Sequence, residues 1–82
     1  MFDKTRKEIK EFAEAMESIM KRHDGTKGDS WKTVSIKHLE ECLEREFEEW
    51  KSDKKTVIGK REVIDVANIC MMLFHRYSKC ED

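Results

Sequence analysis

The chain is 82 residues long and 43% of them are charged, yet its formal net charge is only −1. That length accommodates one domain at most, and the even mixture of signs gives no general attraction to nucleic acid polymers or membrane surfaces. Proline is absent while Ala, Leu, Met, Glu, Lys and Arg are plentiful, a composition that favours helices.

Three helices are predicted. The first covers about residues 4–22, where Ile9, Phe12, Ala13, Met16, Ile19 and Met20 recur at the helical period, with Asp3 placed to cap it. The stretch His23-Asp24-Gly25-Thr26-Lys27-Gly28-Asp29-Ser30 ends it with two glycines and small polar residues. The second covers about residues 36–51, capped by Ser35 or Thr33, with an apolar stripe of Ile36, Leu39, Leu43, Phe47 and Trp50. Phe47 and Trp50 read as core. Ser52-Asp53-Lys54-Lys55 forms a polar joint whose far end Gly59 marks. The third helix covers about residues 60–78, and from Val63 to Phe74 it is apolar around nearly its whole circumference, the pattern of a buried helix. The expected fold class is all-α: a three-helix protomer with the third helix central, one domain over residues 1–82.

A core this small rarely supplies more than about 3–5 kcal/mol. Cys42, Cys70 and Cys80 are odd in number and lack any CxxC spacing, which suits a reducing compartment and leaves no disulfide framework. Extra stability is therefore expected from assembly into an oligomeric helical bundle. Val63, Ile64, Ala67, Met71 and Phe74 point away from the face that carries Glu62 and Asp65 and require a second protomer, in a two-fold contact that gives a dimer or a tetramer built as a dimer of dimers. The start Met1-Phe2-Asp3-Lys4 lacks an apolar signal stretch, and no run approaches the roughly 18 apolar residues of a membrane span. The expected location is cytoplasmic.

Glu62 and Asp65 interrupt the apolar run at an i, i+3 spacing that puts both on one face. A buried, unpaired carboxylate costs several kcal/mol, so such groups are paired or bind metal. Helix two holds Glu40, Glu41, Glu44, Glu46, Glu48 and Glu49. Projection at roughly 100° per residue separates them: Glu41, Glu44 and Glu48 lie opposite the apolar stripe, Glu40 on one margin, and Glu46 and Glu49 on the other, in line with Cys42. Antiparallel packing of the two helices brings the pairs together, and four converging carboxylates repel one another without cations. Hard oxygen ligands select Mg²⁺, Mn²⁺ or Ca²⁺ over zinc, and Mg²⁺ leaves positions for water and substrate phosphate. The purely structural alternative pairs these acids with Lys or Arg across helices.

The order Glu46-x-x-Glu49, twelve intervening residues, then Glu62-x-x-Asp65 resembles the signature of the all-α nucleoside triphosphate pyrophosphohydrolases, the MazG-like superfamily. Asp65-Val66-Ala67-Asn68 followed by Met71-Met72, with Trp31 upstream, looks like its small phage-type branch, the dATP/dGTP pyrophosphohydrolase-like proteins; the similarity spans residues 31–73. The resemblance implies an enzyme that cleaves a (deoxy)nucleoside triphosphate to the monophosphate and pyrophosphate. It also implies Mg²⁺, or Mn²⁺, held by Glu46, Glu49, Glu62 and Asp65. A carboxylate not fully used as a ligand then serves as the catalytic base toward water, and Glu46 or Glu49 suits that role because the margin of helix two is expected to be less buried than helix three. Family members commonly have four or more helices per protomer, so either a partner subunit completes the site or substrate choice is loosely defined. Two other readings stand beside this one: a non-catalytic helical interaction module, and a nucleotide-binding regulator without turnover.

Three further residues are candidates for substrate. Asn68 lies one turn beyond Asp65 and either binds sugar or phosphate or bridges helices. Trp31 either stacks on a base or seals the loop against the core. Lys32, with Lys27, Lys54, Lys55, Lys60 and Arg61, flanks a helix end within reach of a triphosphate, although each alone reads as surface charge. His23-Asp24 has no second His/Asp set to make it a phosphohydrolase pair. The Glu-x-x-His of di-iron bundles, the P-loop, zinc spacings and the nucleophile elbow are absent.

Overall fold

The computed structural model describes residues 4–25, 28–53 and 57–80. Among them every regular element is helical: α1 (Lys7–Asp24), a short 3-10 turn (Ser30–Lys32), α2 (Ile36–Asp53) and α3 (Val57–Cys80). Asp3, Lys27, Lys54 and Lys55 lie outside the described residues. No helix among the described residues is long and apolar enough to cross a membrane.

α1 starts at Lys7, with Arg6 in the cap position and no side-chain cap bond. The stripe explains the later start, since its first apolar residue, Ile9, falls in the first turn. α2 begins at Ile36 as expected, and Ser35 rather than Thr33 caps it: its Oγ accepts from the His38 backbone N–H at 3.0 Å. α3 starts earlier than expected and absorbs Gly59, which is buried in its first turn. Gly59 therefore does not mark the end of the joint. A helical glycine costs about 1 kcal/mol against Ala.

α3 is the central element; α1 and α2 both pack on it. α2 and α3 run antiparallel. Near the end of α3, Tyr77 donates its hydroxyl to Glu40 at 2.8 Å and Arg76 reaches the Val34 carbonyl, while near its start Asp65 shares a cleft with Glu46. α1 joins through its second half, where Asn68 Nδ2 donates to the Met16 carbonyl at 3.3 Å and Ile19 is buried. Its first half is uncovered, with Ile9 52% and Phe12 40% exposed.

The core is small. Among the described residues Ile19, Leu39 and Leu73 are its buried apolar side chains, joined by Glu62 and Asn68. Phe47, expected in the core, is 46% exposed and lies beside Trp50 at a ring separation of 5.5 Å. The buried arc of α2 is centred on Leu39 and turns toward Cys42 and Glu46, which leaves Phe47 on its edge. The radius of gyration is 13.7 Å, against about 12 Å for a compact domain of this length.

The Tyr77–Glu40 bond ties the end of α3 to the start of α2 and makes a pH prediction. The Tyr77 pKa is raised above the usual tyrosine value, first by the hydrogen bond to Glu40, then by burial and the Glu40 charge. A raised folded-state pKa means that the bond's contribution is complete below the ordinary tyrosine value and is lost as pH rises through the folded value. Tyr77 is the only tyrosine, so tyrosinate absorbance reports it directly. The titration midpoint is expected to fall in Glu40→Gln; an unchanged midpoint would show that the bond does not form in solution.

Candidate functional site

A cleft of about 260 Å³ opens where α1, α2, α3 and the 3-10 turn meet, close to the lower limit of ligand pockets. α2 contributes Glu46 and α3 contributes Arg61, Asp65 and Asn68; Ser30 and Trp31 come from the 3-10 turn and His23 from the end of α1. Ile19, Met20, Ile69 and Met72 form its apolar floor. Gly28 also borders it, at φ 51°, a left-handed conformation that a residue with a Cβ adopts only at a cost. The cleft thus holds two acids, a guanidinium, an imidazole, an indole and an amide over an apolar base.

Asn68 is only 4% exposed. With its Nδ2 engaged by Met16, its Oδ1 is buried and has no hydrogen-bond partner among the described residues, and the same holds for Trp31 Nε1. A buried polar atom left unsatisfied costs about 1–3 kcal/mol. A ligand that offers a donor to Asn68 and an acceptor to Trp31 recovers that cost on binding.

Trp31 is held from α3. Its ring meets His75 edge-on, with centroids 5.5 Å apart and planes at 77°, and Arg76 Nη1 donates to its carbonyl at 3.0 Å and to that of Val34. One guanidinium therefore clamps the loop between α1 and α2 onto the central helix. Arg76→Met keeps the aliphatic stem and removes both bonds, and is expected to lower stability by about 2 kcal/mol, the range for hydrogen bonds from a charged donor. Thermal unfolding checks it, and an unchanged melting temperature would mean that packing alone holds the loop.

The structure brings together Glu46, Asp65, Asn68 and Trp31 from the predicted set. Glu62 is buried one turn before Asp65 but does not line the cleft. Glu49 is exposed on α2, one turn beyond Glu46, and also stays outside the wall. Lys32 is paired with Asp29 at 3.5 Å, and its Nζ lies 5.5 Å from the Trp31 ring centre; it does not line the cleft. Among the described residues no group of three or more His, Cys, Asp and Glu side chains is placed to hold one metal ion. Glu41, Glu44 and Glu48 are exposed, as the projection of α2 predicts.

Sequence reasoning gave no role to Arg76 or His75. The signal was present: Arg76 lies on the same arc of α3 as Asp65, Ile69 and Met72, and a charge there demands partners just as Asp65 does. No protein-family model, no curated protein and no solved structure matches this chain.

Proposed function

We propose that this chain is a Mg²⁺-dependent nucleotide pyrophosphohydrolase that cleaves a (deoxy)nucleoside triphosphate to the monophosphate and pyrophosphate. The observation that carries the reading is that Glu46 from α2 and Asp65 from α3 face one cleft together with Asn68 and Trp31, as antiparallel packing of the two acidic motifs requires. The donor set suits a hard cation: Mg²⁺ is commonly held by one or two carboxylates and fills its shell with water and phosphate oxygens. Glu46 and Asp65 would hold it, with Glu62 behind Asp65 on α3 and Glu49 beyond Glu46 on α2. Bound there, the ion neutralises phosphate charge and acidifies water.

The chain's own groups supply the rest. Arg61 attracts the triphosphate into the cleft, and phosphoryl transfer depends chiefly on such positioning and charge compensation. Glu46, only partly buried, would accept the proton of the attacking water through an oxygen that the ion leaves free. Trp31 offers a flat apolar wall for a base, and Asn68 Oδ1 an acceptor for a sugar hydroxyl or an exocyclic amine. A panel of nucleoside triphosphates, with pyrophosphate and orthophosphate measured separately, tests the reading. Pyrophosphate release supports it, orthophosphate release opposes it, and binding without release points to a nucleotide-binding regulator.

The active form is proposed to be a homo-oligomer, a dimer or a tetramer. The chain exposes 6628 Å², against about 5,200 Å² for a folded monomer of this mass. Val63 at 41% and Phe74 at 74% exposure stand on the outer face of α3. The same uncovered face favours the second reading, a helical module whose business is association; only the nucleotide panel separates the two.

A further inference from the structure

A second recess of about 180 Å³ adjoins the candidate site and shares Trp31 and Glu46 with it. Its α2 wall carries His38, Cys42 and Arg45. The Cys42 Sγ is 3.6 Å from His38 Nε2, and Arg45 Nη2 donates to the same sulfur at 3.5 Å. The attacking form of cysteine is the thiolate, and a neighbouring imidazole and guanidinium are the groups that generate and hold it. Neither Glu-rich motif needs these three residues, and the spacing from His38 to Cys42 to Arg45 is the one at which side chains on a helix meet.

We propose that Cys42 is a nucleophilic thiol that exchanges with small, largely apolar disulfides. His38 Nε2 takes the thiol proton and Arg45 holds the charge on sulfur. The Cys42 sulfur then attacks one sulfur of the disulfide; the new Sγ–S bond forms as the old S–S bond breaks, and the departing thiolate leaves with the proton from His38. The products are a mixed disulfide on Cys42 and one free small thiol, with no other oxidant consumed. The chemical class follows from the recess, whose remaining wall is Val34, Leu39, Ile69 and Met72 together with Ser30. The adduct seats against Trp31 and Glu46, at the border of the candidate site. The proposal holds whatever the adjoining cleft binds.

Cys70 supplies the comparison within the same chain. It is exposed on α3, whereas Cys42 is only partly so, so access alone makes Cys70 the faster thiol. The test is reaction of the full chain with dithiodipyridine, a small neutral disulfide, with labelling at each cysteine followed by peptide mass spectrometry. Cys42 is expected to react about tenfold faster than Cys70 at neutral pH, and His38→Ala and Arg45→Gln are each expected to remove most of that advantage. His38→Ala spares the cap of α2, because Ser35 bonds the backbone N–H of His38. Circular dichroism and an unchanged Cys70 rate establish that each variant is folded. Where a variant does not fold, the wild-type ratio of the two cysteines decides alone. Cys70 reacting as fast as Cys42, or a Cys42 advantage that survives both substitutions, overturns the proposal.

Discussion

Asp65→Asn is expected to reduce pyrophosphate release by roughly 100-fold or more, equivalent to about 3 kcal/mol of transition-state stabilisation. Helix content and melting temperature should hold. The substitution removes the negative charge that faces the cleft and keeps the shape of the side chain, so the loss falls on cation and phosphate positioning and not on packing. Without metal the variant is expected to be at least as stable as the wild type, because repulsion with Glu46 is relieved. Glu44→Gln makes the contrast, since Glu44 is exposed on the opposite face of α2 and its replacement should leave turnover unchanged. Equal activity of Asp65→Asn and wild type in a pyrophosphate-release assay would remove Asp65 from the site.

Phe74→Glu is expected to dissociate the protein. Phe74 is 74% exposed in the single chain and lies on the face of α3 turned away from the cleft. An apolar residue so placed on an otherwise apolar arc marks an interaction surface. In a two-fold contact each substitution acts twice; at about 2 kcal/mol per copy the dimer weakens by roughly 1000-fold. Helix content should fall with association, since so small a core leaves little to hold a lone protomer together. Sedimentation at micromolar concentration checks both statements. A compact wild-type monomer there would show that the outer face of α3 needs no covering, and an unaltered oligomer in Phe74→Glu would place the contact elsewhere, the uncovered half of α1 at Ile9 and Phe12 being the other apolar surface.

The helices themselves were legible because their signals are local: the stripe from Ile9 to Met20, the Ser35 cap and the long apolar run of α3 each belong to one element. The margin on which Glu46 lies was legible for the same reason, since projection depends only on position along α2. What failed depends on where a neighbour sits. Phe47 belongs to the stripe of α2 by period, but contact with α3 shifts the buried arc toward Cys42 and leaves Phe47 outside. Gly59 reads as punctuation, yet it is buried inside α3, which begins two residues earlier at Val57. Glu49 shares the i, i+3 face of Glu46 but lies one turn too far along for the cleft. The Arg76 clamp on Trp31 and Val34 spans more than forty residues of sequence, and no pattern within a single helix shows it.

Glu46 and Asp65 are proposed to serve one reaction, cleavage of a triphosphate between its α and β phosphorus atoms. Phosphorus NMR of a deoxynucleoside triphosphate incubated with the chain and Mg²⁺ follows that bond directly. Monophosphate and pyrophosphate resonances are expected to grow together in equal amounts, and neither to appear with Asp65→Asn. Diphosphate and orthophosphate in their place, or an unchanged triphosphate across all bases tested, would contradict the proposal.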